Sequence, residues 1–336
     1  GVTLNTVKWG ILSTANIAQT QLIPALKRAE NAEVIAIASR GEKVHEIAER
    51  LRILKAYESY EALLTDPDVE AIYIPLPNNM HKEWTIRAAK AGKHILCEKP
   101  VALHPADLEE MIATCNEAGV QFMEAFMYQF HPQHARVKEI IASGEIGEVK
   151  LYKSSHSFYF ENREGNIRMD AMQGGGAIWD IGCYCVHAMQ LILGKQVKSL
   201  SFKTIVDPVT KIDVSAFGIV ELEGDIHAMI DCSFDMINRN EYEIIGTKGT
   251  IKVKYAFRPD RLSGNGQIVV ANVGTERIEQ IGGDIYKGEV EFFSDAVCTN
   301  ADLTVQHQYA RQNVAILHAI QQSAKLNQKI ELGQHV

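Results

Sequence analysis

Between Val7 and Met123 the chain repeats a single pattern: a short run of apolar, often β-branched residues, then an amphipathic helical stretch. That alternation restricts the fold more than any other feature. Strands apolar along their whole length must be covered on both faces, and parallel neighbours need helical crossovers. The runs Val7 to Leu12, Val34 to Ser39, Ala71 to Pro75, His94 to Cys97 and Gln121 to Ala125 read as the strands. Val44 to Leu51, Ser59 to Leu64, Lys82 to Ala91 and Pro105 to Ala118 read as helices between them, with Gly92 and Gly119 placed as stops.

After about Leu151 the pattern changes. Segments such as Val197 to Ile205, Ser215 to Glu221, Ile226 to Phe234, Glu241 to Ile245 and Thr250 to Val253 alternate apolar with polar, as an antiparallel sheet with one solvated face does. The glycines Gly174 to Gly176 lead into a helical run, Ala177 to Leu193, and two late helices lie around Gly288 to Val297 and Gln306 to Leu326. There is neither an internal repeat nor a low-complexity linker. The expectation is an α/β domain over residues 1–123, then an α+β domain over 124–336 with a large open, mainly antiparallel sheet. A cleft between them is the default ligand site.

A net charge of −8 argues against a broad nucleic-acid footprint. No apolar stretch approaches the roughly 20 residues of a spanning helix, so no membrane role is expected. Cys97, Cys115, Cys183, Cys185, Cys232 and Cys298 are scattered without CxxC pairs, which suggests reduced core thiols, no metal site and a cytoplasmic setting.

The first strand ends in Gly10-Ile-Leu-Ser13-Thr14-Ala15-Asn16-Ile17-Ala18 and a helix follows, which is where a dinucleotide fold sets the pyrophosphate against backbone N–H groups. The usual three glycines are Ser13, Ala15 and Ala18 here. Small side chains still admit close approach, and Ser13 or Thr14 offers a hydroxyl; an ordinary tight turn stays open beside this reading. The second strand ends at Ser39-Arg40, where a fold that prefers NAD carries Asp or Glu. A hydroxyl and a guanidinium suit a 2′-phosphate, so NADP(H) is expected ahead of NAD(H), with a solvent-facing Arg at a strand end as the ordinary alternative.

The strand His94 to Cys97 runs into Glu98-Lys99-Pro100, at the carboxyl end of the sheet where ligands bind in open α/β folds. Pro100 disfavours helical geometry at Lys99. Further on, Asp180 and Tyr184 stand four residues apart, on one helical face. Interconverting an alcohol and a carbonyl needs a group to carry the hydroxyl proton, and a tyrosine does this only when a cation lowers its pKa. Lys99 is the candidate cation, Tyr184 the acid/base, and Asp180 the anchor of the ammonium or of a substrate hydroxyl. A surface ion pair at Lys99 and a solvent-facing tyrosine are the ordinary alternatives. His187, one turn on, reads as a packed or hydrogen-bonded helix residue.

Together these residues resemble the Gfo/Idh/MocA oxidoreductases. The match rests on Trp9 to Ala18, Pro75-Leu-Pro-Asn78-Asn-Met-His81, Glu98-Lys99-Pro100, Glu124-Ala-Phe-Met-Tyr128-Gln-Phe-His-Pro132 and Gly174 to Tyr184, in that order. Tyr184, where other members place His, resembles the subgroup of glucose-fructose oxidoreductase, dimeric dihydrodiol dehydrogenase and NADP-dependent xylose dehydrogenase. The resemblance implies a Rossmann domain, a catalytic lysine at Lys99 and a preference for NADP. It implies a sugar, polyol or dihydrodiol as substrate, and a homodimer or homotetramer built through the second-domain sheet. Cofactor contacts then fall on Gly10, Ser13, Thr14, Ala15, Asn16, Ile17, Ser39, Arg40, Leu76, Asn79, His81, Glu98 and Lys99. Phe126, Tyr128, His156, Phe158 and Arg168 are candidate substrate linings. Gln129 stands where many relatives carry Arg. Some relatives bind dinucleotide as regulators without turnover, and that is the alternative to an enzyme.

Overall fold

The computed structural model describes residues 5–333. They pack as two compact units, Gly1–Met127 with Tyr286–Ala310 and Tyr128–Ile285 with Arg311–Val336.

In the first unit, six parallel strands, β1 (Val7–Leu12), β2 (Ala32–Ala38), β3 (Lys55–Tyr57), β4 (Ala71–Ile74), β5 (His94–Glu98) and β6 (Phe122–Ala125), form a sheet in the order β3-β2-β1-β4-β5-β6. The crossovers are α1 (Ile23–Arg28), α2 (Lys43–Leu51), α3 (Tyr60–Leu64), α4 (His81–Lys90) and α5 (Pro105–Ala118). Local chemistry sets their ends. Ser59 Oγ accepts from Ala62 N at 3.1 Å to start α3, Pro105 opens α5, and Gly119 closes it at φ 70°. Trp9 is completely buried; its indole donates to Ser294 Oγ at 3.0 Å and meets Phe293 edge-on at 5.5 Å, so residues from late in the chain complete this core.

The second unit carries α6 (Pro132–Ala142), β7 (Val149–Tyr159), α7 (Cys183–Leu193), β8 (Val197–Val206), β9 (Asp213–Leu222), β10 (Ile226–Ser233), β11 (Asp235–Gly246), β12 (Gly249–Val253), β13 (Asn265–Asn272) and β14 (Thr275–Gly282). The helices α8 (Ile285–Thr299) and α9 (Thr304–Leu326) and a short β15 (Ile330–Glu331) end the chain. The sheet order is β14-β13-β12-β11-β7-β10-β9-β8-β15, antiparallel throughout except where β10 runs parallel to β7. The fold is therefore the α/β unit with an open, mainly antiparallel sheet that the sequence predicts. Helix α7 is buried along almost its whole length. Among the described residues, no helix is long and apolar enough to cross a membrane.

Candidate active site

The strand order of the first sheet reverses at β1, whose neighbours are β2 on one side and β4 on the other. Ligands of open α/β sheets sit outside the carboxyl ends at such a switch point. Four adjacent ends carry predicted site residues in a row: Ser39-Arg40 after β2, Ser13 to Ile17 after β1, Leu76 to Asn79 after β4, and Glu98-Lys99 closing β5. Ser13 holds φ 135°, a conformation that favours glycine, so the turn keeps the glycine geometry under a serine. Its Oγ accepts from Ala15 N at 2.9 Å, leaving its O–H as a donor. A π-helical turn, Ala18–Leu22, runs from here into α1. Gly10 lies inside β1, where an added Cβ would stand 2.8 Å from Leu63 Cδ2; it serves packing against α3. Arg40 is exposed, its guanidinium 5.7 Å from the Tyr60 ring centroid. Small residues at the turn with a hydroxyl and a guanidinium beyond β2 fit a phosphorylated dinucleotide.

Lys99 is half-buried at the end of β5, and its peptide to Pro100 is cis. Two carboxyls act on its charge, Glu98 and Glu124. Glu98 accepts from Tyr73 OH at 2.5 Å and from Lys99 N at 3.2 Å; burial pushes it up, while Tyr73 and Lys99 pull it down. Glu124, buried in β6, accepts from Val101 N at 2.7 Å, and burial pushes its carboxyl up to about 7. Glu289 of α8 is fully buried, and neither carboxyl oxygen has a hydrogen-bond partner among the described residues. Burial, then the charge of Glu98, drives it well above the carboxylate range. His81 stands beneath the same loops: Nε2 faces Leu76 O at 2.7 Å and Nδ1 faces Pro100 O at 2.9 Å. Burial holds this imidazole neutral, with one N–H for the two carbonyls. His81 therefore stands between the loop after β4 and the segment after Lys99 and donates to one of the two carbonyls.

In the second unit Asp180 lies in a π-helical turn, Ile178–Gly182, and Tyr184 in the α-helix that follows. Their four-residue spacing thus spans a π-to-α transition, a feature frequent at functional sites. Asp213 anchors the turn by accepting from Ile178 N at 2.8 Å, and burial pushes its carboxyl up to about 6. Asp180 Oδ2 accepts from Arg168 Nε at 3.0 Å, and the Arg168 guanidinium lies 5.8 Å from the ring centroids of both Phe158 and Phe160.

Tyr184 is buried among aromatic rings, with centroids 5.3 Å from His156, 5.6 Å from Phe257 and 5.9 Å from Tyr128. Tyr128 OH and His187 Nδ1 are 2.6 Å apart, and burial drives that imidazole down to about 3. His187 is thus the hydrogen-bonded helix residue expected. Tyr128, expected to line the substrate, is completely enclosed beneath Tyr184, and Phe126 is enclosed in the first unit. His156, Phe158, Arg168 and Asp180 gather around the start of α7. Sequence reasoning passed over Asp213, Glu289 and the environment of Glu124. Glu124 stood in a quoted motif, whereas an isolated acidic residue gives no signal of burial.

A model of an oxidoreductase family with an NAD-binding Rossmann fold matches residues 7–126, and a GFO/IDH/MocA C-terminal domain matches residues 134–252. The chain is 36% identical over 328 residues to D-xylose 1-dehydrogenase (NADP(+)) 2 of Haloferax volcanii, covering 96% of this chain and 99% of that one. It is 31% identical to trans-1,2-dihydrobenzene-1,2-diol dehydrogenase of Mus musculus, over 78% of each. A 3-ketoreductase from Actinomadura kijaniata, solved with NADP and TDP-benzene, superposes with a TM-score of 0.89 at 28% identity, covering 95% of this chain and 98% of that one. With its switch-point turn, its Glu98-Lys99-Pro100 segment and these matches along both units, the chain belongs to the Gfo/Idh/MocA family of NAD(P)-dependent oxidoreductases.

Proposed function

We propose that the protein uses NADP(H) to interconvert a CH–OH and a C=O group on a sugar, polyol or dihydrodiol. The row of four strand ends at the switch point carries this reading, because it lines up a phosphate turn, a cation beyond β2 and Lys99. Ser39 and Arg40 hold the 2′-phosphate. The Ser13 to Ile17 turn receives the pyrophosphate, with Gly10 packed beneath it, and Leu76, Asn79, His81 and Glu98 shape the loops beside it. The nicotinamide, when bound, takes or gives the hydride. Tyr184 carries the substrate hydroxyl proton, Lys99 stabilises its phenolate, and Asp180 orients the substrate hydroxyl once Arg168 releases it. The aromatic cage around Tyr184 fixes its ring. NADP appears in the name of the xylose dehydrogenase and in the complex of the 3-ketoreductase, which supports the cofactor preference.

In this reading residues 1–123 bind the dinucleotide and 124–336 the substrate. His156, Phe158 and Arg168 face the substrate, with Tyr128 packed against Tyr184. Self-association through the open sheet is supported by Phe217, Ile219 and Met229, which expose apolar surface on neighbouring strands β9 and β10. A cytoplasmic setting is supported by six free cysteines, of which only Cys298 is exposed.

The test is a panel of aldoses, polyols, inositols and dihydrodiols followed at the reduced-nicotinamide absorbance, with NADP and NAD in parallel. Turnover with NADP and one substrate class is expected. Lys99→Ala and Tyr184→Phe should each lower kcat by about 10²–10⁴-fold with cofactor binding little changed. Tight NADP binding without turnover across the panel transfers the chain to the regulators, and full activity in Tyr184→Phe removes its proton-transfer role.

A further inference from the structure

Parallel register sets Glu124 beside Cys97, and Leu96 beside Tyr73. Side chains alternate along a strand, so Tyr73, Leu96 and Glu98 share one face of the sheet while Cys97 and Glu124 share the other. The structure agrees: Tyr73 OH bonds Glu98, and Glu124 reaches across to Val101 N, two residues past the lysine. Lys99, the first residue beyond β5, is thus flanked by one carboxyl from each face, and both act on its charge. The two are held differently. Glu98 accepts from a phenol and from the amide of Lys99 itself, whereas Glu124 grips the backbone on the far side of Pro100.

We propose that Glu124 is a positioning residue for Lys99: its carboxylate fixes the backbone that follows the lysine and supplies the charge that holds the ammonium. Turnover through Lys99 therefore follows the ionisation of Glu124. The inference rests on the functional reading above. Glu124 feels the charges of Lys99 and Glu98 at the β5 end and lies beside the Cys97 thiol of β5; His81 of α4 faces the neighbouring Pro100 carbonyl. Glu289 of α8 feels the charge of Glu98. Burial holds the thiol and Glu289 protonated and His81 neutral. Glu124, pushed up to about 7, changes its charge at neutral pH.

The experiment compares wild type with Glu124→Gln, whose amide oxygen still accepts from Val101 N, and with Glu124→Asp. In wild type kcat should rise with pH through a limb near 7. In Glu124→Gln that limb should vanish and kcat at pH 8 should fall about tenfold with NADP affinity unchanged, while Glu124→Asp restores a limb. A Glu124→Gln enzyme that keeps both the limb and a kcat within about twofold of wild type overturns the proposal.

A second arm needs no substrate, so that failure of the functional reading stays separate. Thermal midpoints of wild type and Glu124→Gln are compared from pH 4 to 9, alone and in a Lys99→Met background. The difference between the Glu and Gln forms should change across the window from 4.5 to 7. That window should move to higher pH once the lysine charge is gone. Parallel curves, or a window that Lys99→Met leaves in place, mean that Glu124 does not sense Lys99.

Discussion

Asp213 shows how one buried carboxyl couples stability to pH. Its amide contacts at the start of the π-turn favour the anion, but burial outweighs them and raises it from 3.8 to about 6. A carboxyl raised in the folded state contributes stability that is fully present below 3.8 and is lost as pH rises through 6, for a total of about 3 kcal/mol. Asp213→Asn keeps an acceptor for Ile178 N. Its thermal midpoint should therefore depend less on pH between 4 and 6 than that of wild type. Arg40 makes a separate prediction. If it grips the 2′-phosphate, Arg40→Ala should weaken NADPH binding about tenfold or more in a fluorescence titration and leave NADH nearly unchanged. Lys99, Tyr184 and Arg40 can be nominated from the sequence because each sits in a short contiguous motif. Asp213 and Glu289 are not: their significance arises from burial and from partners far along the chain.

The loop Gly174 to Gly176 sets the start of the element that carries Asp180 and Tyr184. Gly176 adopts φ 103°, and a Cβ there would stand 2.3 Å from Asp213 Oδ1. Gly176→Ala should therefore cost on the order of 2 kcal/mol and lower kcat more than it changes NADP affinity, read by thermal denaturation and steady-state kinetics. At this scale the sequence was most informative where strands are covered on both faces. Strands β1, β2, β4, β5 and β6 are nearly continuous apolar runs, and each was named. Strand β3 has three half-buried residues and gives no such run. Strand β7, the centre of the second sheet, holds lysines, serines and a histidine, and β14 is exposed along almost its whole length. Their pairing depends on neighbours distant in sequence. The π-turn before α7 was hidden for a related reason: a spacing of four residues reads as an ordinary helix, whereas its backbone is anchored by Asp213 from another element.

At the scale of the whole molecule, the apolar patch on the open sheet predicts self-association. Ile219 and Met229 are register partners on β9 and β10, each about half exposed. Ile219→Lys with Met229→Lys should lower the mass found by light scattering if that face joins subunits, and leave it unchanged if it does not. The first unit has a different consequence. Its core is completed by residues 286–310: Phe293 and Ser294 meet Trp9, Glu291 O accepts from Asn31 Nδ2 at 3.0 Å, Gln121 Nε2 donates to Ala296 O and Ala301 O, and His307 Nε2 bonds Phe122 O at 2.7 Å. During synthesis, then, a ribosome must deliver the residues up to Phe293 and Ser294 before Trp9 finds its partners, and the amino-terminal strands wait unfinished while the second sheet is made. Residues 1–127 expressed alone should aggregate. Supplying 286–310 through a permuted linkage should restore a soluble unit that binds dinucleotide, so the order of manufacture, not the sheet itself, limits its independence.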